Sequence, residues 1–306
     1  MGKPNTANPI QATTGRISVV RDQHLVPLLA STSNHIPAGQ PWTGVLLERH
    51  QVHPGEIPEH EHPDLCLHLQ LSGDADFEWW SGGRHAVERT QPGSLILIPP
   101  GTRDRLRWQG ASERLILSVA HSGLADLTQH LEAPPTPAFK GNWSLHDGAL
   151  RQLLTEMGHE ARNGWPLGAL YADLLTLGLH TRLLQSHAAV PLAASPVKGG
   201  LSLPKLKRAM EFINAHLADD IDLGSIANVL DLSPSHFAHE FRHSTGQTPF
   251  QYLLDQRMAR ARQLLRSTNL PVQFISAQTG FKSPVNFIRS FRQRIGLTPQ
   301  AWRKSL

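Results

Sequence analysis

Short apolar runs separated by turn signals dominate the first half of the chain. The runs at residues 44–47, 65–71 and 94–98 are bounded by turn sequences such as Pro54-Gly55. Short strands with regularly spaced turns are typical of a sandwich or a barrel. The pattern therefore predicts a β-rich domain over residues 17–135.

The hydrophobic period becomes helical after this domain. Leucines recur at spacings of three and four residues within 141–187, which predicts two helices. Because helices of this kind often expose an apolar stripe to a second copy, this region is expected to dimerise. Residues 188–202, rich in Ala, Pro, Ser and Gly, predict a linker, and residues 1–16 predict a flexible tail. A further helical pattern begins at residue 203, so the predicted fold class is multidomain α+β.

A nine-residue pattern recurs in the last third of the chain at an offset of fifty residues. Residues 233–241 (SPSHFAHEF) return as residues 283–291 (SPVNFIRSF), and each copy is followed by Gly and then by Thr-Pro. Ser-Pro suits a helix start, the two Phe share one buried face, and Gly suits a helix end. With short helices upstream, near 223–230 and 272–279, each copy predicts a helix-turn-helix motif.

The charge of the chain is concentrated at this repeat. Residues 242–306 hold 11 Lys and Arg against one acidic residue, whereas residues 1–200 hold 15 against 18. A basic end on a nearly neutral body is typical of a nucleic-acid-binding module. Together with the doubled motif, this balance favours double-stranded DNA as a partner over a merely solvated basic surface.

The residues opposite each buried Phe pair are the candidate DNA contacts, since successive helical residues turn by about 100°. These candidates are Ser235, His236, His239 and Arg242 in the first motif, and Val285, Asn286, Arg289 and Arg292 in the second. Residues near the start of a recognition helix reach base edges in the major groove. We therefore expect Arg289 to read bases and Arg292 to grip phosphate.

Residues 203–306 resemble the DNA-binding domain of the AraC/XylS family of transcriptional regulators. The positions that carry the resemblance are Ile226-Ala227, Ser233-Pro234, Phe241, Gly246, Pro249, Tyr252, Arg257, Ala261, Leu264-Leu265, Ile275, Gly280-Phe281, Phe287, Phe291, Gly296 and Pro299. The resemblance implies a sequence-specific regulator rather than an enzyme, with two motifs joined by a long helix over Pro249–Arg266. RNA polymerase is then a further expected partner. Two positions depart from the family pattern, which often has Arg at His239 and Ala at Ser276.

A second resemblance concerns the β-rich domain. His60-Glu61-His62, with Gly93, Pro99 and Gly101 spaced as Gly-x5-Pro-x-Gly, resembles the cupin barrel of many AraC-type sensor domains, a double-sheet jelly roll. It implies control by a small-molecule effector. Trp42, Trp79, Trp80 and Trp108 could line an effector pocket or could belong to the core.

A divalent metal is the one cofactor that this domain suggests, because alternate strand residues share a face and both imidazoles of His60 and His62 could reach one ion. Metal-binding cupins usually add a carboxylate soon after the pair, where Leu65, Cys66 and Leu67 stand, and a His at the position of Asp104. Cys66, Asp104, His68 or His121 could substitute. A domain that binds only an organic effector, or that only dimerises, is the alternative.

Three functions are compatible with these patterns. The first is a ligand-responsive transcription factor, and the second is a cupin-type metalloenzyme with a DNA-binding appendage, which requires a complete set of three or four metal ligands. The third is an architectural DNA-binding protein. The single Cys66 excludes an intramolecular disulfide, and no apolar run suits a signal peptide or a membrane span, so a cytoplasmic protein is expected.

Overall fold

The computed structural model of the protein describes residues 16–29, 41–42, 44–130, 137–189 and 199–305. The chain divides into two compact units. The first, called the β domain, comprises Met1–Ala38, Gly44–Gly123 and Ala138–Leu154, and the second, called the helical unit, comprises Gly39–Thr43, Leu124–Pro137 and Thr155–Leu306. The predicted tail up to residue 15, and residues 190–198 of the predicted linker, lie outside the described residues.

Two antiparallel sheets make up the described part of the β domain. The strands are β1 Ser18–Arg21, β2 His24–Pro27, β3 Val45–Val52, β4 Gly55–Glu61, β5 Leu65–Ser72, β6 Ala75–Ser81, β7 Arg84–Thr90, β8 Leu95–Ile98, β9 Arg103–Trp108, β10 Ser112–Val119 and β11 Asn142–Leu145. The six-stranded sheet has the order β2-β1-β4-β9-β6-β7, and the five-stranded sheet has the order β11-β8-β5-β10-β3. The last strand lies beyond the predicted end of the β-rich region, since four residues are too short to reveal a period of two.

One hydrophobic core joins the two sheets. Phe77 and Leu106 of the six-stranded sheet belong to the same buried cluster as Ile98 and Ile116 of the five-stranded sheet. Two sheets that share a core in this way form a sandwich-like double layer. The β-rich fold class predicted for this region is therefore confirmed.

A register shift in β4 changes which residues face this interior. β4 pairs with β9, with Ile57 opposite Leu106 and His60 opposite Asp104, and the register shifts between the two pairs. In a regular strand, residues three apart face opposite sides of the sheet. The irregularity turns both Ile57 and His60 inward, where each is at most 5% exposed.

The described helices all lie after β10, and the first of them precedes β11. They are α1 His121–His130, α2 Gly148–Arg162, α3 Ala169–Ser186, α4 Leu203–Ala215, α5 Leu223–Val229, α6 Pro234–Thr245, α7 Pro249–Ser267, α8 Val272–Gln278, α9 Pro284–Ile295 and α10 Pro299–Lys304. The predicted long helix from residue 249 is α7, and the predicted short helices upstream of each repeat are α5 and α8.

Part of the leucine stripe of α2 and α3 is buried. Leu150, Leu154 and Leu184 are fully buried, and Leu170 belongs to one cluster with Phe237 of α6. These four leucines therefore offer no exposed surface to a partner, whereas Leu153, Leu174 and Leu177 are half-buried, and dimerisation of this region stays a prediction.

The repeated motifs fold as their local signals predict. In each recognition helix the two Phe rings are fully buried, with centroids 5.5 Å apart for Phe237 and Phe241 and 5.7 Å apart for Phe287 and Phe291. Both helices end at a left-handed glycine, with φ of 73° at Gly246 and 85° at Gly296. The two copies differ at the helix start. The Ser233 side chain accepts a hydrogen bond from the His236 backbone, whereas Ser283 makes no side-chain cap.

Candidate functional sites: the recognition helices and the interior of the β domain

The outer face of α6 carries most of the residues predicted for the first motif. His239 and Arg242 are exposed, and His236 is half-buried. Ser235 differs, because only 2% of it is exposed. The sequence analysis put Ser235 on the outer face by projecting the residues at about 100° each, a helical projection that treats α6 as an isolated helix. Ser235 follows Pro234 in the first turn, where the surrounding chain covers it, so it offers no surface to DNA in this conformation.

An acidic residue that the sequence reasoning missed lies beside His239. Glu240 Oε1 is 3.1 Å from His239 Nδ1, and its Oε2 accepts the backbone N–H of Gly200. A second bond, from the Leu201 backbone to Ser244 Oγ, has a length of 2.7 Å. These bonds attach the described end of the predicted linker to α6, and they place a negative charge next to a candidate base reader.

The outer face of α9 is more basic and partly apolar. Arg289 and Arg292 are exposed and Asn286 is half-buried, while Val285 is 73% exposed. Ile288, which the projection left out, is 37% exposed and lies one helical turn from Val285. Arginines can pair with guanine edges or phosphates, and exposed aliphatic groups can contact thymine methyl groups. The face therefore offers chemistry for both kinds of contact with a duplex.

Arg257 of α7 fixes the connection between α4 and α5. Its Nε donates to the Leu217 carbonyl at 2.9 Å and its Nη2 to the Asp219 carbonyl at 2.8 Å, and its guanidinium lies 5.7 Å from the centre of the Phe281 ring. Burial lowers the pKa of Arg257 to about 10, so it remains charged at neutral pH. Because Phe281 precedes the second recognition helix, this one side chain connects the cores of the two motifs.

A buried cluster of three metal-binding groups lies in the interior of the β domain. His60 Nε2 is 3.1 Å from His62 Nε2 and 3.1 Å from Asp104 Oδ1, and His62 Nε2 is 3.2 Å from Asp104 Oδ2. The Pro58 carbonyl lies 2.9 Å from His60 Nδ1, which directs Nε2 into the cluster. Apart from these contacts with the two imidazoles, the buried carboxylate of Asp104 has no hydrogen-bond partner among the described residues. A cation among these atoms would satisfy them.

Asp104 is the only one of the four proposed substitutes that joins this cluster within the described residues. The sequence suggested a gap where metal-binding cupins have His, and the β4–β9 pairing puts the Asp104 carboxylate there instead. Cys66 is buried nearby, and burial raises the pKa of its thiol, so it stays protonated. His121 begins α1 and is exposed.

The four tryptophans proposed as pocket residues have different environments. Trp108 lines a small interior cavity, and Trp79 stacks on Trp143 with ring centroids 4.7 Å apart. Trp80 stacks on His85 at 4.8 Å, and Trp42 contacts Trp165 at 4.2 Å. Among the described residues, only Trp108 of these four lines that cavity.

The helices of the described residues include none that is both long and apolar enough to cross a membrane.

Comparison with known proteins matches the last part of the chain to a helix-turn-helix domain family over residues 226–305. The chain is also 30% identical over 224 residues to the arabinose operon regulatory protein of Escherichia coli strain K12, which covers 72% of this chain and 74% of that protein. The arabinose operon regulatory protein of Salmonella typhimurium is 28% identical over 242 residues, which is 78% of this chain and 82% of that protein.

Among solved structures, the C-terminal domain of AraT, a response regulator from Geobacillus stearothermophilus, is similar to a third of the chain. The identity is 29%, the TM-score is 0.33, and the match covers 34% of this chain and 86% of that domain. The sequence relatives, in contrast, extend over both compact units of the chain.

Proposed function

Because the chain belongs to the AraC family of transcriptional regulators, we propose that it recognises a specific double-stranded DNA site and that a small molecule bound in the β domain controls this recognition. Membership establishes a regulator with a DNA-binding helix-turn-helix domain. The base contacts, the effector and its location are the parts that we propose.

The repeated outer face of α6 and α9 carries the DNA part of the proposal. At equivalent positions, fifty residues apart, His239 matches Arg289 and Arg242 matches Arg292, and all four are exposed. Neutral histidine offers one donor and one acceptor, so it cannot copy the two-pronged contact of arginine with guanine. The second motif is therefore expected to discriminate bases at least as strongly as the first.

Enrichment of a random double-stranded DNA library on the purified full-length protein tests this part. We expect one enriched sequence with two conserved patches about one helical turn apart, bound at least a thousandfold more tightly than random DNA near physiological salt. A library that stays random after repeated rounds would refute sequence-specific recognition.

Effector control is proposed because the interior of the β domain contains polar side chains that a purely structural core does not need. His68 and Arg114 are each 4% exposed, and both line a cavity between the sheets. A ligand that binds only the folded state raises its stability by mass action. A thermal-shift screen of the full chain against small metabolites should therefore find a compound that raises the melting temperature and changes DNA affinity. Compounds that stabilise the protein without changing DNA affinity would contradict effector control.

A divalent metal at His60, His62 and Asp104 is a second proposal for the same domain. Two imidazoles and a carboxylate suit Zn²⁺ or a neighbouring transition metal. Elemental analysis after incubation with Zn²⁺ and dialysis should give one ion per chain, and the double variant His60→Ala, His62→Ala should lose it. His53→Ala, an exposed imidazole of the same domain, is the matched control.

These three candidate metal ligands also bear on the alternative function, a cupin-type metalloenzyme, which requires three or four metal ligands. The side chains of His60 and Asp104 have no exposed surface, and that of His62 is 2% exposed, so a substrate has no direct approach to an ion held there. We therefore favour a structural or regulatory metal over a catalytic one. A metal-dependent turnover that disappears in the double variant would reverse this preference.

Self-association and contact with RNA polymerase are the remaining proposed partners. Leu150, Leu154 and Leu184 are buried, so the proposed homodimer rests on the leucines of the same helices that are only half-buried, such as Leu153 and Leu177. Sedimentation of the full-length protein over a range of micromolar concentrations tests the homodimer directly, because a monomer at every concentration would exclude it.

Transcription from a promoter that carries the enriched site tests the proposed action on RNA polymerase.

A further inference from the structure

One carboxylate of the helical unit joins three separate elements. Asp220 lies in the connection between α4 and α5, and its Oδ1 accepts the backbone N–H of Ala169, the first residue of α3, at 2.8 Å. Its Oδ2 is 2.6 Å from Nζ of Lys282, which lies two residues before α9 begins at Pro284. Asp220 therefore holds the start of α3 and a lysine beside the second recognition helix at the same time.

The start of α3 is shaped to allow this contact. Gly168 has a φ of 86°, and a Cβ added there would lie 2.6 Å from Asp220 Oδ1, so a side chain would displace the carboxylate. Asp173, further along α3, accepts the backbone N–H of Leu223 at the start of α5 at 2.9 Å. Leu170 of α3 belongs to the core cluster of the first motif. Polar and apolar contacts together thus keep α3 against the connection that carries Asp220.

Lys282 is a basic residue at the DNA-facing end of α9, but a carboxylate neutralises it in the free protein. Although partial burial acts in the opposite direction, the bonds from Lys282 and from the Ala169 N–H hold the pKa of Asp220 below its usual range, so the side chain is ionised at neutral pH. The Lys282 side chain is 47% exposed and that of Asp220 is 43% exposed. An ion pair this exposed is weak, so a DNA phosphate can replace the carboxylate.

Arg289 of α9 lies within electrostatic range of the same region. Burial raises the pKa of Glu160 and of Tyr171, and the positive charge of Arg289 opposes both shifts. Tyr171, the third residue of α3, donates its hydroxyl to Glu156 Oε1 at 3.2 Å. Acidic groups around the start of α3 therefore act on a second basic residue of this recognition helix.

We propose that Lys282 is a further DNA contact of the second motif, which grips a backbone phosphate, and that Asp220 competes with this phosphate in the free protein. The proposal rests on DNA recognition through α9, to which it adds a residue that precedes the helix. The bond from Ala169 keeps the competing carboxylate in place, so the docked α3 lowers the affinity of the second motif for DNA. Because phosphate contacts carry no direct sequence information, the competition affects every duplex.

The variant Asp220→Asn tests the competition, since the amide keeps an oxygen that can accept the Ala169 N–H but carries no charge. We expect the full-length variant to bind a random-sequence duplex about two- to fivefold more tightly than the natural protein, because an exposed ion pair no longer has to be broken. Asp219→Asn, which removes the exposed carboxylate next to it in the chain, is the matched control and should change the affinity little. An equal gain in both variants would refute competition by Asp220 in particular.

The variant Lys282→Met tests the phosphate contact separately. We expect it to lower the affinity for random and enriched DNA by a similar factor and to reduce the salt slope by about one. In the double variant, Asp220→Asn should no longer raise the affinity, because the lysine that it frees is absent. A salt slope that Lys282→Met leaves unchanged would refute the phosphate contact. A gain from Asp220→Asn that persists without Lys282 would refute competition through this ion pair.

Melting temperatures of the variants show whether α3 stays docked. If Asp220→Asn loosens α3, the salt slope of Lys282→Met still decides the phosphate contact, since that substitution leaves the bond between Asp220 and Ala169 in place.

The random-sequence duplex separates this proposal from sequence-specific recognition. A reduced salt slope in Lys282→Met, together with a DNA library that stays random, would support the phosphate contact and refute sequence-specific recognition. An enriched sequence together with an unchanged slope would support sequence-specific recognition and refute the role of Lys282.

Discussion

Leu167 donates its backbone N–H to Glu160 across the turn between α2 and α3, with 3.2 Å between the nitrogen and Oε2. Glu160 is fully buried, and its Oε1 has no hydrogen-bond partner in the part of the chain that the structure describes. Burial raises the pKa of Glu160 to about 7, although the Leu167 N–H and the charge of Arg289 act in the opposite direction. A carboxylate in this position makes the stability of the helical unit sensitive to pH.

The first prediction concerns this sensitivity. Because the pKa of Glu160 is about 4.5 in an unfolded chain and about 7 in the folded one, the folded state binds the proton more tightly. The stabilisation that comes from binding this proton is complete below about pH 4.5 and is lost as the pH rises through about 7. Glu160→Gln should therefore reduce the fall in unfolding free energy between pH 5 and pH 8 by about 1–3 kcal/mol.

Urea unfolding of the two proteins at pH 5 and pH 8 checks this prediction. Glu211→Gln, which removes an exposed carboxylate from α4, is the control and should leave the pH dependence unchanged. If Glu160→Gln and the natural protein lose the same stability between the two pH values, Glu160 is ionised over the whole range and the prediction is wrong.

The second prediction concerns the helix end at Gly296. Its φ of 85° lies in the left-handed region, and an added Cβ would meet no atom within 4 Å, so only backbone strain opposes a side chain there. Gly296→Ala should lower the unfolding free energy by about 1 kcal/mol. Gly148→Ala is the matched control, because Gly148 also has open space but no positive φ. Equal stability of the two variants would show that the left-handed cap is not retained in solution.

These two positions illustrate what the sequence reveals. The Gly296 helix end could be predicted because it depends on neighbours in the chain: Ser-Pro before the helix, the Phe pair within it, and Gly after it. Glu160 could not be identified, because its burial depends on folding that brings distant residues over it. The same limit explains the error at Ser235, where the projection of a single helix ignored the surrounding chain.

The β domain shows a similar division. Turn signals predicted the short strands, but no local signal revealed the register shift between Ile57 and His60 that puts His60 opposite Asp104. The His-x-His pair was visible in the sequence, whereas its third member, 42 residues later, required the pairing of β4 with β9. Arg114 was missed because an arginine in an alternating strand is ordinarily assigned to the solvent face.

The third prediction concerns the boundary of the DNA-binding part. Residues 203–306 carry the basic charge and should bind DNA alone, with log affinity falling linearly with log salt concentration. This fragment lacks α3, and Leu170 and Tyr171 of α3 pack against the core of the first motif. A fragment that starts at residue 166 should therefore melt at a higher temperature than one that starts at 203, with the same salt slope.

Anisotropy titrations of both fragments between 50 and 200 mM salt give the slopes, and calorimetry gives the melting temperatures. An affinity that does not change with salt would exclude phosphate contacts as the main source of binding. Equal melting temperatures would show that α3 does not stabilise the first motif.

The last prediction assigns different roles to two exposed arginines of α9. Arg289 lies five residues after the start of the helix at Pro284, and Arg292 lies almost one turn further along. The start of a recognition helix is the end that enters the major groove, where arginine can contact guanine O6 and N7 together. Arg289→Ala should therefore cost about 1–3 kcal/mol on the enriched site and much less on random DNA.

Arg292→Ala should instead weaken binding to both kinds of DNA by a similar factor and reduce the salt slope by about one, because it removes one phosphate contact. Arg89→Ala, which removes an exposed arginine from β7 of the β domain, is the charge-matched control and should change neither affinity nor slope. Binding of each variant to the enriched site, to its single-base substitutions and to random DNA distinguishes the roles. The assignment is wrong if Arg289→Ala lowers specific and random binding by the same factor, since a base-reading arginine must lose more on the sequence that it reads.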